Sequence, residues 1–255
     1  VPGLGFGRPG EYLTDRLTDE ALRVIDHAGE RPFFLYLAHH APHTPVEAKP
    51  EDVRYFQAKL RPDLRHRNPT YAAMLKSLDE GVGRVLDHLR ARGLEDRTIV
   101  VFTSDNGGQM NVDPPARPGE PPNRNAPLRS GKGSLYEVGI RVPLMVRWPG
   151  VTPRGAVSDA PVLLADLFPT LLRAAGRPVP DSIDGLDLSA LLRDPAARLG
   201  RDALYFHYPH YYETTTPVGA IRTGDWKLLE YFEDGRIELY DLAADPGETR
   251  DLTAT

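Results

Sequence analysis

The sequence predicts an α/β fold: a mainly parallel sheet covered by helices, followed by a small antiparallel β subdomain. Three observations carry that prediction. Two short runs, residues 33–38 and 98–103, are apolar on both faces, as strands covered by helices on either side are. Between them, apolar residues recur at helical spacing over residues 69–92. After about residue 200, Gly-Asp and Asp-Gly pairs separate β-rich runs, which is the signature of tight hairpins. The expected division is residues 1–200 for the α/β core and 201–255 for the small subdomain.

The first element is a helix near Thr18–His27, with Asp19 and Glu20 in its first turn and Leu22, Val24 and Ile25 on its apolar side. Pro32 stops it. Phe33–Ala38 reads as a central strand that empties into His39-His-Ala-Pro-His-Thr-Pro45, a proline-punctuated loop with three histidines. A long helix runs from about Pro69 to Arg92, with Met74, Leu78, Val82, Val85 and Leu89 on one side and Gly93 as its stop. Thr98–Thr103 is a second buried strand, ending in Ser104-Asp-Asn-Gly-Gly108. Residues 109–131 are rich in Pro, Gly and Asn and lack periodicity; loops of that length inside a domain usually carry function. Arg141–Trp148 reads as a third strand and Val162–Ala175 as a third long helix. Alternation of strands and helices is the α/β pattern. Residues 218–241 then read as hairpins.

Composition removes several classes of function. The 255 residues contain no apolar run near the ~18 needed to cross a bilayer. With 31 basic against 36 acidic residues, net charge −5 and no dense Lys/Arg cluster, a nucleic-acid partner is not expected. Cysteine is absent, which excludes disulfides, thiolate metal sites and thiol nucleophiles within this sequence.

Ligands of parallel sheets gather at the carboxyl ends of strands, and three places fit. Asp105-Asn106 follows a buried strand; a carboxylate beside an amide oxygen suits Ca²⁺ or Mg²⁺, with an ordinary Asp-Asn-Gly turn as the alternative. His43, after the other strand, has the chemistry to donate to an anion or protonate a leaving oxygen, although a loop histidine without a task reads the same way. Its neighbours His39 and His40 leave a histidine transition-metal site open. Lys132, between two glycines in Leu128-Arg-Ser-Gly-Lys-Gly-Ser134, can reach a bound oxyanion. The first glycine and the following Ser/Thr of a phosphate-binding loop are missing, which argues against an NTPase.

Taken together, these segments resemble the type I sulfatases, the formylglycine-dependent sulfate-ester hydrolases of alkaline-phosphatase-like fold. The matching stretches are Ala41-Pro-His-Thr-Pro45, residues 98–108, Ala126-Pro-Leu-Arg-Ser-Gly-Lys-Gly-Ser-Leu-Tyr-Glu137 with Arg141-Val-Pro143, Asp166-Leu-Phe-Pro-Thr170, Asp184-Gly185, and Glu238-Leu-Tyr-Asp-Leu-Ala-Ala-Asp-Pro-Gly-Glu248. They run in family order from about residue 10 to the end. The resemblance implies that Asp105 and Asn106 supply part of a divalent-cation site, usually Ca²⁺ and less often Mg²⁺. It implies that Lys132 contacts a sulfate oxygen and His43 the sulfate or the leaving ester oxygen. Glu137 and Arg141 then form an internal ion pair that holds the lysine loop, and Val138 stands where a glycine is usual. The implied partner is a sulfated small molecule or carbohydrate, and the family is usually secreted, periplasmic or lysosomal.

The resemblance also implies a nucleophile that this sequence does not contain. The family makes formylglycine from Cys or Ser in a C/S-x-P/A-x-R segment; neither Ser189-Ala-Leu-Leu-Arg193 nor Asp113-Pro-Pro-Ala-Arg117 fits it. The paired aspartates that complete the cation site are also missing. The expectation is a C-terminal portion of a longer sulfatase, without turnover by itself and with exposed apolar strand edges. For substrate selection, Tyr205-Phe-His-Tyr-Pro-His-Tyr-Tyr212 offers His207 and His210 as sugar contacts, with packing of the small sheet as the alternative. The 109–125 loop is a second candidate wall. Two rival functions stay open: a phosphodiesterase or phosphonate hydrolase of the same superfamily, disfavoured by Asn106 where those enzymes place His, and a non-catalytic pseudoenzyme that binds sulfated glycans.

Overall fold

A computed structural model describes residues 5–109 and 125–253, which fall into two compact units. The first is helical. It holds α1 (Leu13–Ala28), α2 (Pro50–Gln57) and α3 (Pro69–Ala91). Helix α3 starts where Asn68 caps it, its side chain accepting from the Tyr71 amide at 3.0 Å with Pro69 in the first turn. It ends at Gly93, whose φ of +66° takes the left-handed turn that the sequence predicts there. Thr18, Ala21 and Ile25 of α1 are buried, as are Ala73, Met74, Ser77 and Gly81 of α3. The two helices approach so closely that a Cβ on Gly81 would lie 2.6 Å from the Thr18 hydroxyl. Neither the early start of α1 nor the existence of α2 is visible in the apolar spacing.

Residues 33–39 differ from the sequence expectation. The segment is extended, with Phe33, Leu35 and Leu37 half-buried and Phe34 and Tyr36 78% and 82% exposed, but it joins no ladder among the described residues. A run that is apolar on both faces needs a covering layer and neighbouring strands; none of the described strands pairs with this one.

The second unit contains two antiparallel sheets. In the first, β1 (Val100–Thr103) pairs with β2 (Leu144–Arg147), Val101 facing Val146. The parallel order expected in the core is therefore absent among the described strands, because β2 returns alongside β1 as an antiparallel neighbour would at a sheet edge. Between them lies the short α4 (Glu137–Ile140), and after them α5 (Leu167–Ala174) and α6 (Ser189–Arg193).

The second sheet is the expected hairpin array: β3 (Leu204–Tyr208), β4 (Val218–Thr223), β5 (Trp226–Tyr231) and β6 (Ile237–Asp241), in that order. Alternation places Val218, Ala220, Leu229, Tyr231 and Tyr240 on one face, where they form a core with Leu135 and Tyr136. Phe206 and Tyr208 pack against that core, whereas Tyr205 stays 75% exposed.

Candidate active site

The loop after β1 and the loop carrying Lys132 are fastened together. Gly107 donates to the Gly139 carbonyl at 3.1 Å, and Lys132 donates its amide to Gly108 at 3.0 Å. The Asn125 side chain adds bonds to Gly108 and Ser130, both at 3.0 Å. Two glycines permit this approach. A Cβ on Gly107 would lie 1.4 Å from the Val138 carbonyl, and one on Gly139 2.0 Å from that of Ser134.

Lys132 is gripped by its backbone alone. Its carbonyl accepts from Thr214 Oγ1 at 2.9 Å, in a tight Tyr212–Thr215 turn whose end residues exchange backbone bonds of 3.0 and 3.1 Å. The ring of Tyr212 lies over Gly133, where a Cβ would meet it at 2.2 Å and φ is +83°. Its half-buried side chain makes no hydrogen bond or ion pair among the described residues, so the ammonium remains available to an anion.

Asp105 and Asn106 share this neighbourhood. Asp105 is exposed, and its carboxylate takes no hydrogen bond or ion pair among the described residues. Asn106 donates its amide nitrogen to Gly107 O at 3.0 Å, which leaves Oδ1 without a donor. Three free oxygens from two side chains on one turn fit a hard divalent cation in kind; Ca²⁺ takes six to eight. No group of three or more His, Asp or Glu placed to hold a metal ion occurs among the described residues, so neither the rest of such a ligand set nor a histidine metal site is seen there.

Behind Lys132 lies a buried charge network that the sequence reading largely missed. Glu137, which begins α4, is 1% exposed and receives Lys227 of β5 at 3.2 Å. Lys227 is itself fully buried and lies 2.8 Å from Glu248 Oε1, close enough for an ion pair though not aligned as a hydrogen bond. Glu248 Oε2 accepts from the Glu137 amide at 2.6 Å, closing the ring. Burial raises the Glu248 carboxyl above its ordinary range even against the opposing Lys227 charge. The expected Arg141–Glu137 pair is present at 3.4 Å, with Arg222 at 3.7 Å on the same oxygen. A sequence signal existed for Lys227: a charge at an inward position of an alternating strand is costly unless paired.

In the first unit, His43 sits between Ala41 and Val46, both buried against Met74 with Tyr71 packed alongside. The imidazole is exposed, and its Nδ1 lies 2.8 Å from the Thr44 carbonyl oxygen. A carbonyl only accepts, so Nδ1 carries the proton and Nε2 faces any further partner. The His40 ring lies 5.3 Å from that of His43, tilted by 59°, and His39 has both ring nitrogens buried without partners among the described residues. Burial lowers the basicity of His39.

His207 and His210 are exposed in the second unit. His207 alternates away from the buried face of β3 and rests 5.3 Å from Phe232; His210 rests 5.3 Å from Tyr208, two residues before Tyr212. Most of the 109–125 loop, and the Asp113–Arg117 stretch, lie outside the described residues.

Comparison with known proteins bears on the chain as a whole. A family model described as Sulfatase matches residues 3–177, and one described as N-sulphoglucosamine sulphohydrolase, C-terminal, matches residues 131–255. A protein named "Sulfatase" from Formosa agariphila is 36% identical over 99% of this chain and 48% of its own length. Human arylsulfatase A is 34% identical over 88% of this chain and 45% of its own. The crystal structure of Ps i-CgsB superposes with a TM-score of 0.81 at 33% identity, covering 99% of this chain and 53% of that one, and that protein has also been solved in complex with k-i-k-neocarrahexaose. The chain thus spans about half the length of the curated relatives it matches.

Proposed function

The chain belongs to the sulfatase family and has its alkaline-phosphatase-like α/β fold, and on that premise we propose that it is the part of a sulfuric ester hydrolase that grips the sulfate group. The observation that carries the reading is Lys132: a half-buried ammonium without a partner among the described residues, on a loop held by its backbone from both sides. Every other buried lysine charge in that neighbourhood is spent; Lys227 is paired twice.

In this reading Lys132 holds a sulfuryl oxygen. His43 presents Nε2, because Nδ1–H is committed to Thr44, and in its protonated form donates there to the sulfate or to the departing ester oxygen. Asp105 and the Asn106 amide oxygen hold a share of a divalent cation, Ca²⁺ in preference to Mg²⁺. When bound, the cation supplies positive charge against the sulfuryl oxygens. The nucleophile of the family is formylglycine. The sequence has no Cys and no C/S-x-P/A-x-R segment, so we assign the chain no turnover by itself. The substrate class is a sulfated small molecule or carbohydrate; the oligosaccharide bound by the Ps i-CgsB relative supports a sugar. Exposed His210, close in sequence to the Tyr212 turn, is the nearer of the two histidines to such a substrate; His207 stands on the outer face of β3.

The test is hydrolysis of an aryl sulfate and of an aryl phosphate diester by this chain translated together with its upstream coding sequence. We expect turnover of the sulfate, falling by about 10²–10³ in Lys132→Ala, the loss typical of removing one charge-stabilising donor. Faster hydrolysis of the diester, or a Lys132→Ala variant as active as the parent, would overturn it.

A further inference from the structure

The turn that braces the lysine loop also walls an open cleft of about 550 Å³, within the range of small-molecule sites. Tyr136 and Tyr231 form its buried floor, their hydroxyls 2.9 Å apart and Tyr136 donating to Glu238 at 2.6 Å. A guanidinium stacks on each ring: Arg129 at 4.1 Å from the Tyr136 centroid and Arg236 at 3.7 Å from that of Tyr231. Both arginines remain about half exposed, at 44% and 49% of their side-chain surface.

Stacking fixes the plane of a guanidinium and leaves its edge to a ligand. Arg129 spends Nη1 on the Tyr240 hydroxyl and the Glu248 carbonyl, and Arg236 spends Nη1 on Glu238; Nη2 of each has no hydrogen bond among the described residues. Glu238, which also accepts from Tyr136 and Tyr240, is the buried counter-charge beside both arginines, and exposed Asp234 lies 3.9 Å from Arg236 Nε, which leaves Arg129 the less neutralised of the two. On the rim, Thr214 and Thr215 are committed to Lys132 O and Thr216 O, while the exposed Thr216 hydroxyl is open. Glu213 also lines the cleft, which sets against a dense polyanion. The combination suits a unit with several hydroxyls, one flat face for Tyr212 and a single anionic group.

We propose that this cleft is a second subsite, which takes one monosulfated sugar unit of an oligosaccharide beside the group held by Lys132. Lys132 itself is not among the lining residues, but Ser130 is, only two positions away and so within about 7 Å of chain. That the anion is a sulfate rests on the sulfuric ester hydrolase reading; the subsite itself rests on the cleft.

Calorimetric titration of the 255-residue chain with a carrageenan disaccharide bearing one sulfate, the same disaccharide desulfated, and inorganic sulfate tests it. The sulfated disaccharide should bind at least about tenfold tighter than the desulfated one, as expected for a charge-assisted bidentate contact. Arg236→Ala should erase that ratio, because Glu238 keeps two tyrosine donors and the fold is retained. Thr216→Glu, which removes no bond of the Glu238 network, should weaken the sulfated ligand alone. The dependence on Arg236 should persist in a Lys132→Ala background. Equal binding of the two disaccharides, no binding, binding of inorganic sulfate alone, or loss with Lys132→Ala but not with Arg236→Ala would overturn the proposal. Failure of the sulfatase reading would instead be seen as absent aryl-sulfate turnover in the completed protein, with the Arg236 dependence intact.

Discussion

The two segments proposed to touch sulfate are built in opposite ways. Around Lys132, its amide donating to the Gly108 carbonyl, its carbonyl accepting from the Thr214 hydroxyl, a tyrosine over Gly133 and a buried Lys227–Glu137–Glu248 ring determine where the chain lies. Before His43, residues 33–39 run extended with no ladder among the described residues and with Phe34 and Tyr36 almost wholly exposed. Only the short stretch Ala41–Val46 is anchored, through Met74. The difference teaches that a lysine kept free of partners needs an over-determined backbone around it, whereas an apolar strand is only as well placed as the strands beside it. Burial without pairing is costly, so Lys227 and Glu137 exist as a pair or not at all.

That contrast can be broken at its strongest point. Lys227→Met should destabilise the second unit by about 3–5 kcal/mol, since it leaves buried Glu248 without its counter-charge and Glu137 with only its longer contacts to Arg141 and Arg222; urea unfolding followed by tryptophan fluorescence reads it. Gly133→Ala should cost less, about 1–3 kcal/mol, because a methyl group would drive into the Tyr212 ring. Adding Tyr212→Ala should recover the steric share and leave the cost of the left-handed backbone, as thermal unfolding of the double variant would show.

A pH-dependent term sharpens the comparison further. Burial works to raise the Asp166 carboxyl, but the bidentate Arg201 guanidinium and the amides of Leu163 and Leu186 outweigh it and hold the group below its ordinary range. A depressed carboxyl contributes stability that is full above its unfolded value, about 3.9, and is lost as pH falls through the folded one. Glu248 has the opposite sign: its raised carboxyl is a penalty at neutral pH that protonation relieves. Acid unfolding should therefore become shallower in Asp166→Asn and steeper in Glu248→Gln. The smallest effect belongs to the other region. Phe34→Ser and Tyr36→Ser, on exposed positions, should change stability by no more than about 0.5 kcal/mol while reducing self-association on gel filtration.

What could be read in the sequence follows the same division. Local signals held: the Pro69 start and Gly93 end of α3, the hairpins from Val218 to Asp241, and the Glu137–Arg141 pair four residues apart. Long-range ones did not. The partner of Glu137 lies 90 residues away in Lys227, and nothing near either residue names the other. Residues 33–38 were legible as extended but not as unpaired, because apolar content says that a segment needs cover and not whether cover is present. Of the candidate site, the strand-end oxygens and the lysine between glycines were legible from residue type and position; the cleft of Arg129 and Arg236 was not, since its lining is drawn from residues 129–136 and 212–236, segments far apart in sequence.

Hydrogen exchange of the 255-residue chain at single-residue resolution tests the central contrast most directly. The amides of Gly107 and Lys132, bonded to Gly139 and Gly108, should be protected nearly to the level of β4 and β5. Those of Phe34–Ala38 should exchange at close to unstructured rates. Fast exchange at Lys132 together with protection across Phe34–Ala38 would contradict the account, because the loop proposed to grip sulfate would then not be the pre-built part of the chain.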